Sequence, residues 1–172
     1  MNWVAAAPIY AISYFVAVAM FGWMARRRGL ANEGTWILMQ AALVGGLLGA
    51  NLVQVAFAGQ PGKTIEGGFI GGYLAVVWMK RRMRIARPTG DLFALAFPAG
   101  EAIGRIGCFV GGCCYGKIAH VAWAVHQHDA WRHPAQLYAS AIAAISFVIL
   151  LWLERRDVLL VNGLFFVQGM LF

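Results

Sequence analysis

The chain has 172 residues, of which 61% are hydrophobic and 12% charged, and a formal net charge of +7. A soluble domain carries roughly 45–50% apolar and about 25% charged residues, so this balance, with a mean hydropathy of +0.68, excludes a soluble domain and indicates an integral membrane protein. The positive charge does not point to nucleic acid: the basic residues sit in short clusters between apolar spans, as in loops facing an anionic leaflet, and no nucleic-acid motif is present.

In chain order the pattern predicts six spans, at about 4–25, 35–58, 65–79, 91–104, 134–153 and 158–172. Val4–Ala25 carries no charge and is followed, not preceded, by Arg26-Arg27-Arg28, which reads as an uncleaved first helix rather than a signal peptide. With that break in the cytoplasm, the cytoplasmic loops hold Arg26, Arg27, Arg28, Lys80, Arg81, Arg82, Arg84, Arg87, Arg155 and Arg156, ten of the fourteen basic residues. The bias predicts an extracytoplasmic N-terminus. Glu66, Arg105, the cysteines and the histidines then fall at or near the outer face.

Two predicted spans are short. Segments 65–79 and 91–104 reach only about 22 and 21 Å as helices, against a bilayer core of about 30 Å. Either they extend into flanking residues or the chain is broken or re-entrant there, around a cavity. The last span stops at Phe172 without a polar flank, so a further C-terminal piece is expected. No repeat or linker divides the sequence, and a single transmembrane domain over 1–172 is expected.

The chemistry-bearing residues cluster in Gly104-Arg105-Ile106-Gly107-Cys108-Phe109-Val110-Gly111-Gly112-Cys113-Cys114-Tyr115-Gly116. An arginine in a membrane needs an anionic partner or a wet cavity, and its guanidinium offers a phosphate a fork of donors. Arg105 is either an anion clamp or a snorkelling helix-end residue. Glu66 precedes Gly67-Gly68 and Gly71-Gly72; it is a candidate general base, an ion-pair partner for Arg105, or a carboxylate favoured by a helix N-terminus. The glycines beside it form a small-residue face for close helix packing. Cys108, Cys113 and Cys114 follow a C-x4-C-C pattern, which lacks the C-x2-C pairs of the usual metal sites. Small apolar packing is their plainest role, redox or disulfide chemistry the next, and metal binding the least favoured. His133-Pro134 opens a span, with Gln136 one turn on. Tyr10 and Tyr14, one turn apart near the outer end of the first span, fit an interfacial belt.

At these residues the chain resembles the prolipoprotein diacylglyceryl transferase family. The matching blocks are Glu66-Gly67-Gly68-Phe69-Ile70-Gly71, then Gly104-Arg105-Ile106-Gly107 with Phe109, then Tyr115-Gly116, then His133-Pro134-Ala135-Gln136-Leu137-Tyr138. Asn162-Gly163-Leu164-Phe165 begins a further one. The resemblance implies an all-α polytopic helical bundle of seven spans, of which six are present. It also implies an enzyme of the bacterial inner membrane whose site faces the outer leaflet. Such enzymes move diacylglyceryl from phosphatidylglycerol to the cysteine thiol of a lipoprotein signal peptide, with no cofactor and no metal. By the resemblance, Arg105 holds the lipid phosphate and Glu66 stands where the family has histidine. Gly67, Gly68, Gly104, Gly107, Gly116, His133, Gln136 and Tyr138 then fall at the substrate site, with Tyr10 or Tyr14 lining it. The chain departs from the family at Cys108, where asparagine is usual, at Gly111, where a second asparagine stands, and at Cys113, where an acidic residue stands. These departures keep open a membrane thiol or metal-handling protein, or a non-catalytic lipid-binding relative.

Overall fold

The computed structural model describes residues 3–59, 64–156, 163–165 and 167. The described residues form five long helices: α1 Trp3–Arg27, α2 Glu33–Ala58, α3 Ile65–Arg82, α4 Gly90–Gly111 and α5 Ala135–Arg156. A short hairpin, β1 Val125–Gln127 and β2 Ala130–Arg132, lies between α4 and α5. The predicted last span falls outside the described residues except at 163–165 and 167, which are helical. Four of the helices, α1, α2, α4 and α5, are long and apolar enough to cross a membrane. The protein is an all-α polytopic membrane protein in class, and the hairpin, joined by an isolated bridge between Ile118 and Arg132, lies in the non-helical stretch between α4 and α5.

The five predicted spans from residue 4 to 153 coincide with the five helices. Both short spans extend into their flanks instead of breaking. The third runs to Arg82, and the fourth runs to Gly111, which makes α4 22 residues and about 33 Å long. The cause is the glycine-rich stretch itself. Gly104, Gly107 and Gly111 stay helical because their missing side chains admit a neighbouring helix, not because the backbone turns there. The turn comes at Gly112, whose φ of 72° caps α4 and whose N–H bonds Phe109 O at 3.2 Å.

Chain contacts separate two compact units, Met1–Arg27 with Pro88–Phe172, and Arg28–Arg87. In the second, α2 packs on α3. Asn32 caps α2 by accepting from Thr35 N at 2.9 Å, and Thr64 caps α3 by accepting from Gly67 N at 3.2 Å. Gly45 and Gly49 of α2 interlock with Gly67 and Gly71 of α3: a Cβ on Gly49 would lie 2.7 Å from Gly71 Cα, and one on Gly67 would lie 2.5 Å from Gly49 O. Two small-x-x-x-small faces thus bring the backbones into contact, which maximises dispersion where no hydrophobic effect operates between helices. The outward residues of α2, among them Val44, Leu48 and Leu52, are apolar and exposed, as a lipid-facing surface requires.

In the first unit, α4 is central and packs on both α1 and α5. Gly100, Gly104, Gly107 and Gly111 form a stripe along α4 that receives Ala17, Ser13, Tyr10 and Ala6 of α1 in turn. Ser13 Oγ donates to Gly100 O at 2.7 Å, and Ser140 Oγ of α5 donates to Ala102 O at 2.6 Å. At the basic ends of α1 and α5, Arg27 Nε meets Glu154 Oε1 at 3.2 Å, with Glu154 only 4% exposed.

Candidate functional site

Arg105 lies on α4, about two turns before its C-terminus. One turn earlier on the same face stands Glu101, and its Oε1 accepts from both Arg105 Nε, at 3.2 Å, and Nη2, at 3.0 Å. The two side chains are 20% and 13% exposed, so the pair is largely withdrawn from the surroundings. One edge of the guanidinium is therefore held by a single carboxylate oxygen. Nη1 bonds no group among the described residues, and Glu101 Oε2 is buried and without a partner among them. This is an oriented cation with donors to spare, beside a carboxylate with an acceptor to spare.

The end of α4 ties three other elements together. From α1, the Tyr10 hydroxyl lies 3.4 Å from Cys108 Sγ and 3.9 Å from Cys113 Sγ. From α5, the buried Gln136 donates through Nε2 to Cys113 O at 2.7 Å and to Gln127 Oε1 at 3.2 Å, while its Oε1 has no partner among the described residues. From the hairpin tip, His128 Nε2 lies 2.7 Å from Gly112 O. The hairpin closes through His128 and Asp129, both at positive φ, the geometry of a two-residue turn whose twist matches its strands.

His133, Gln136 and Tyr138 come together at the start of α5. His133 Nδ1 is 3.2 Å from the Tyr138 hydroxyl, which also accepts from Trp123 Nε1 at 2.7 Å. His133 O accepts from Gly116 N at 3.2 Å, and a Cβ on Gly116 would lie 2.5 Å from that oxygen. Gly116 therefore serves close backbone contact between the loop and the head of α5. Arg132 adds to the same loop, stacking 4.6 Å from the Tyr115 ring and donating to Gln127 O at 3.1 Å.

The residues singled out by sequence thus sort into groups. Arg105, Tyr10, Cys108, Cys113 and Gln136 belong to the end of α4 and what packs on it. Gly104, Gly107 and Gly111 form the face that seats α1, with Gly107 directly under the Tyr10 ring. Tyr14, one turn from Tyr10, is exposed and contributes nothing to this cluster. Glu66 is exposed in the first turn of α3, the place that the helix dipole favours for a carboxylate, and Gly67 is buried in the α2–α3 contact. Glu101 was missed. Its i, i+4 spacing to Arg105 was visible, but the helix was expected to stop at 104, which hid the pairing. Gln127 and Trp123 were missed as well, since nothing in the sequence shows that the 117–132 segment folds back onto α4 and α5.

The family model described as prolipoprotein diacylglyceryl transferase matches residues 5–172 of the chain. A protein of Janthinobacterium named phosphatidylglycerol–prolipoprotein diacylglyceryl transferase is 29% identical over 189 residues, covering 91% of this chain and 71% of its own length. One of the same name from Pseudomonas putida is 29% identical over 187 residues, covering 91% and 70%. Another, from Geobacter sulfurreducens, is 28% identical over 171 residues, covering 87% and 66%.

Proposed function

The chain belongs to the prolipoprotein diacylglyceryl transferase family, and from that premise we propose that it transfers diacylglyceryl from phosphatidylglycerol to the cysteine thiol of a prolipoprotein signal peptide. The observation that carries the reading is the Arg105–Glu101 pair: a largely buried guanidinium, fixed along one edge and with Nη1 open, in one of the blocks that carry the family resemblance.

The acceptor sulfur attacks the glyceryl carbon that carries the phosphate ester. A carbon–sulfur bond forms, the carbon–oxygen bond breaks, and glycerol phosphate leaves with the electron pair. Arg105 binds the phosphate and neutralises the charge that grows on the leaving oxygen, an interaction worth most in a site withdrawn from water. Glu101 orients the guanidinium before substrate arrives. Its Oε2, beside the phosphate-binding guanidinium and without a partner among the described residues, is assigned the thiol proton here in place of the exposed Glu66. Tyr10, Gln136, His133 and Tyr138 shape the surrounding polar end of the helices.

The basic-loop bias supports an inner-membrane, multi-pass protein with an extracytoplasmic N-terminus and this site toward the outer leaflet. The test is transfer of labelled lipid from phosphatidylglycerol vesicles to a lipobox peptide. Arg105→Ala abolishes transfer while the protein remains folded; full turnover by that variant overturns the reading.

A further inference from the structure

Transferase chemistry leaves the three cysteines unused. Their sulfur atoms, on Cys108, Cys113 and Cys114, all lie within 4.8 Å of one another, and all three thiols are free. We propose that they form a three-thiolate site for a soft monovalent cation, Cu(I), at the C-terminal end of α4.

Three observations carry the proposal. The first is spacing. A metal bonded to three sulfurs at about 2.3 Å in a plane holds them about 4.0 Å apart. The observed limit of 4.8 Å requires shifts of under an ångström, within reach of side-chain rotation. The second is the backbone that achieves this spacing. Gly112, at φ 72°, turns the chain at the helix end, and Cys113 N bonds back to Cys108 O at 3.0 Å. Cys114 then adopts φ 56°, a left-handed conformation that costs a residue with a side chain about 1 kcal/mol or more, and strain of that kind gathers at functional positions. Two left-handed residues within three positions fold Cys113 and Cys114 back toward Cys108. The third is the surroundings. The Tyr10 hydroxyl stands 3.4 and 3.9 Å from the sulfurs of Cys108 and Cys113, where it can donate to a coordinated thiolate and ease the net negative charge that three thiolates and one Cu(I) carry.

The donor set selects the ion. Thiolates favour Cu(I) and Zn(II) among biological metals. Structural zinc takes four ligands, commonly a fourth cysteine or a histidine. No such fourth group joins the cluster among the described residues, and the Nε2 of the nearby His128 is engaged by Gly112 O at 2.7 Å. A three-coordinate, all-sulfur site suits Cu(I). Cys114 is exposed, which provides the entry path, while Cys108 and Cys113 are half-buried. The C-x4-C-C spacing alone argued against a metal. The convergence depends on the turn at Gly112 and Cys114, which spacing does not reveal.

The test is anaerobic titration of the full-length, reduced protein in nanodiscs with Cu(I) alone, against a chromogenic copper chelator, followed by X-ray absorption at the copper edge. One Cu(I) per chain with sulfur-only coordination is expected. Cys114→Ser, an exposed and conservative change, loses at least the roughly 10–100-fold in affinity that removing even an outer-shell partner costs. Tyr10→Phe keeps the stoichiometry and weakens binding. Unchanged uptake by the Cys108→Ser/Cys113→Ser/Cys114→Ser variant overturns the site, as does tight Zn(II) binding with a nitrogen ligand and no competition from Cu(I). Fewer than three titratable thiols in the reduced protein overturns it too. Arg105→Ala, the variant that tests lipid transfer, keeps its copper, so the two ideas fail separately.

Discussion

The Tyr10 ring is seated on Gly107: a Cβ at that glycine would come within 2.9 Å of Cε1 and 3.2 Å of Cδ1 and Cζ. Tyr10 holds its hydroxyl over Cys108 and Cys113 because the helix beneath it lacks a side chain at that point. Gly107→Ala should therefore lift the ring. Overpacking of this kind costs about 1–3 kcal/mol. Reversible unfolding of the variant in detergent should show that loss, accompanied by reduced lipid transfer. Wild-type stability and transfer together would mean that the ring moves aside freely and that Tyr10 has no fixed place in the site.

The α2–α3 contact gives a sharper comparison between adjacent glycines. A Cβ on Gly67 meets Gly49 O at 2.5 Å and both Thr64 Oγ1 and Val53 Cβ at 2.7 Å, whereas one on Gly68 meets nothing nearer than Gly46 O at 3.5 Å. Gly67→Ala should destabilise the protein by about 3 kcal/mol, since it sets a methyl group against a backbone that cannot yield. Gly68→Ala should change stability by no more than about 0.5 kcal/mol. Thermal unfolding of both variants in the same detergent checks the pair. Equal effects would show that the two helices do not interlock through this face.

Helices α1, α2 and α5 were legible because their apolar runs are uninterrupted and end in basic or capping residues. α4 was legible only in part. Its last two turns contain Gly104, Gly107 and Gly111, which by local propensity end a helix or open a turn. Tertiary packing reverses that reading, since the same glycines admit Ser13, Tyr10 and Ala6 of α1. Once α4 is seen to continue, Glu101 and Arg105 are one turn apart and their pairing follows. Arg105 itself was legible, because a membrane arginine flanked by small residues demands an explanation wherever the helix stops. The thiol cluster was not, because three residues of unremarkable spacing meet through two left-handed backbone positions.

Gln136 links α5 to the loop that carries two of the thiols. Its Nε2 donates to Cys113 O at 2.7 Å and it is 1% exposed. Gln136→Leu keeps the volume and removes the donor, leaving a carbonyl at the end of α4 short of a partner. Such a loss costs roughly 1–3 kcal/mol. The expected result is a destabilised protein in which Cys113 reacts faster with a thiol reagent, as the loop loosens. A Cys113 reaction rate equal to wild type, with the same cost in stability, would assign Gln136 to packing alone.

Glu101 separates orientation from proton transfer. Glu101→Gln retains an oxygen that accepts from Arg105 Nε and Nη2, so the guanidinium stays in place, but the side chain no longer takes up a proton. If Glu101 accepts the thiol proton, transfer falls by the roughly 10²–10⁴-fold that general base catalysis contributes, with the apparent affinity for phosphatidylglycerol nearly unchanged. Should Glu101 only orient Arg105, the glutamine variant keeps most of its turnover while Glu101→Ala loses it, because alanine frees the guanidinium altogether. Raising the pH of the assay adds a second reading: it supplies pre-formed thiolate and should recover part of the activity of Glu101→Gln. It should not recover that of Arg105→Ala, in which the leaving phosphate has lost its cation. Recovery of both variants to the same extent would remove Glu101 from proton transfer and Arg105 from stabilisation of the leaving group.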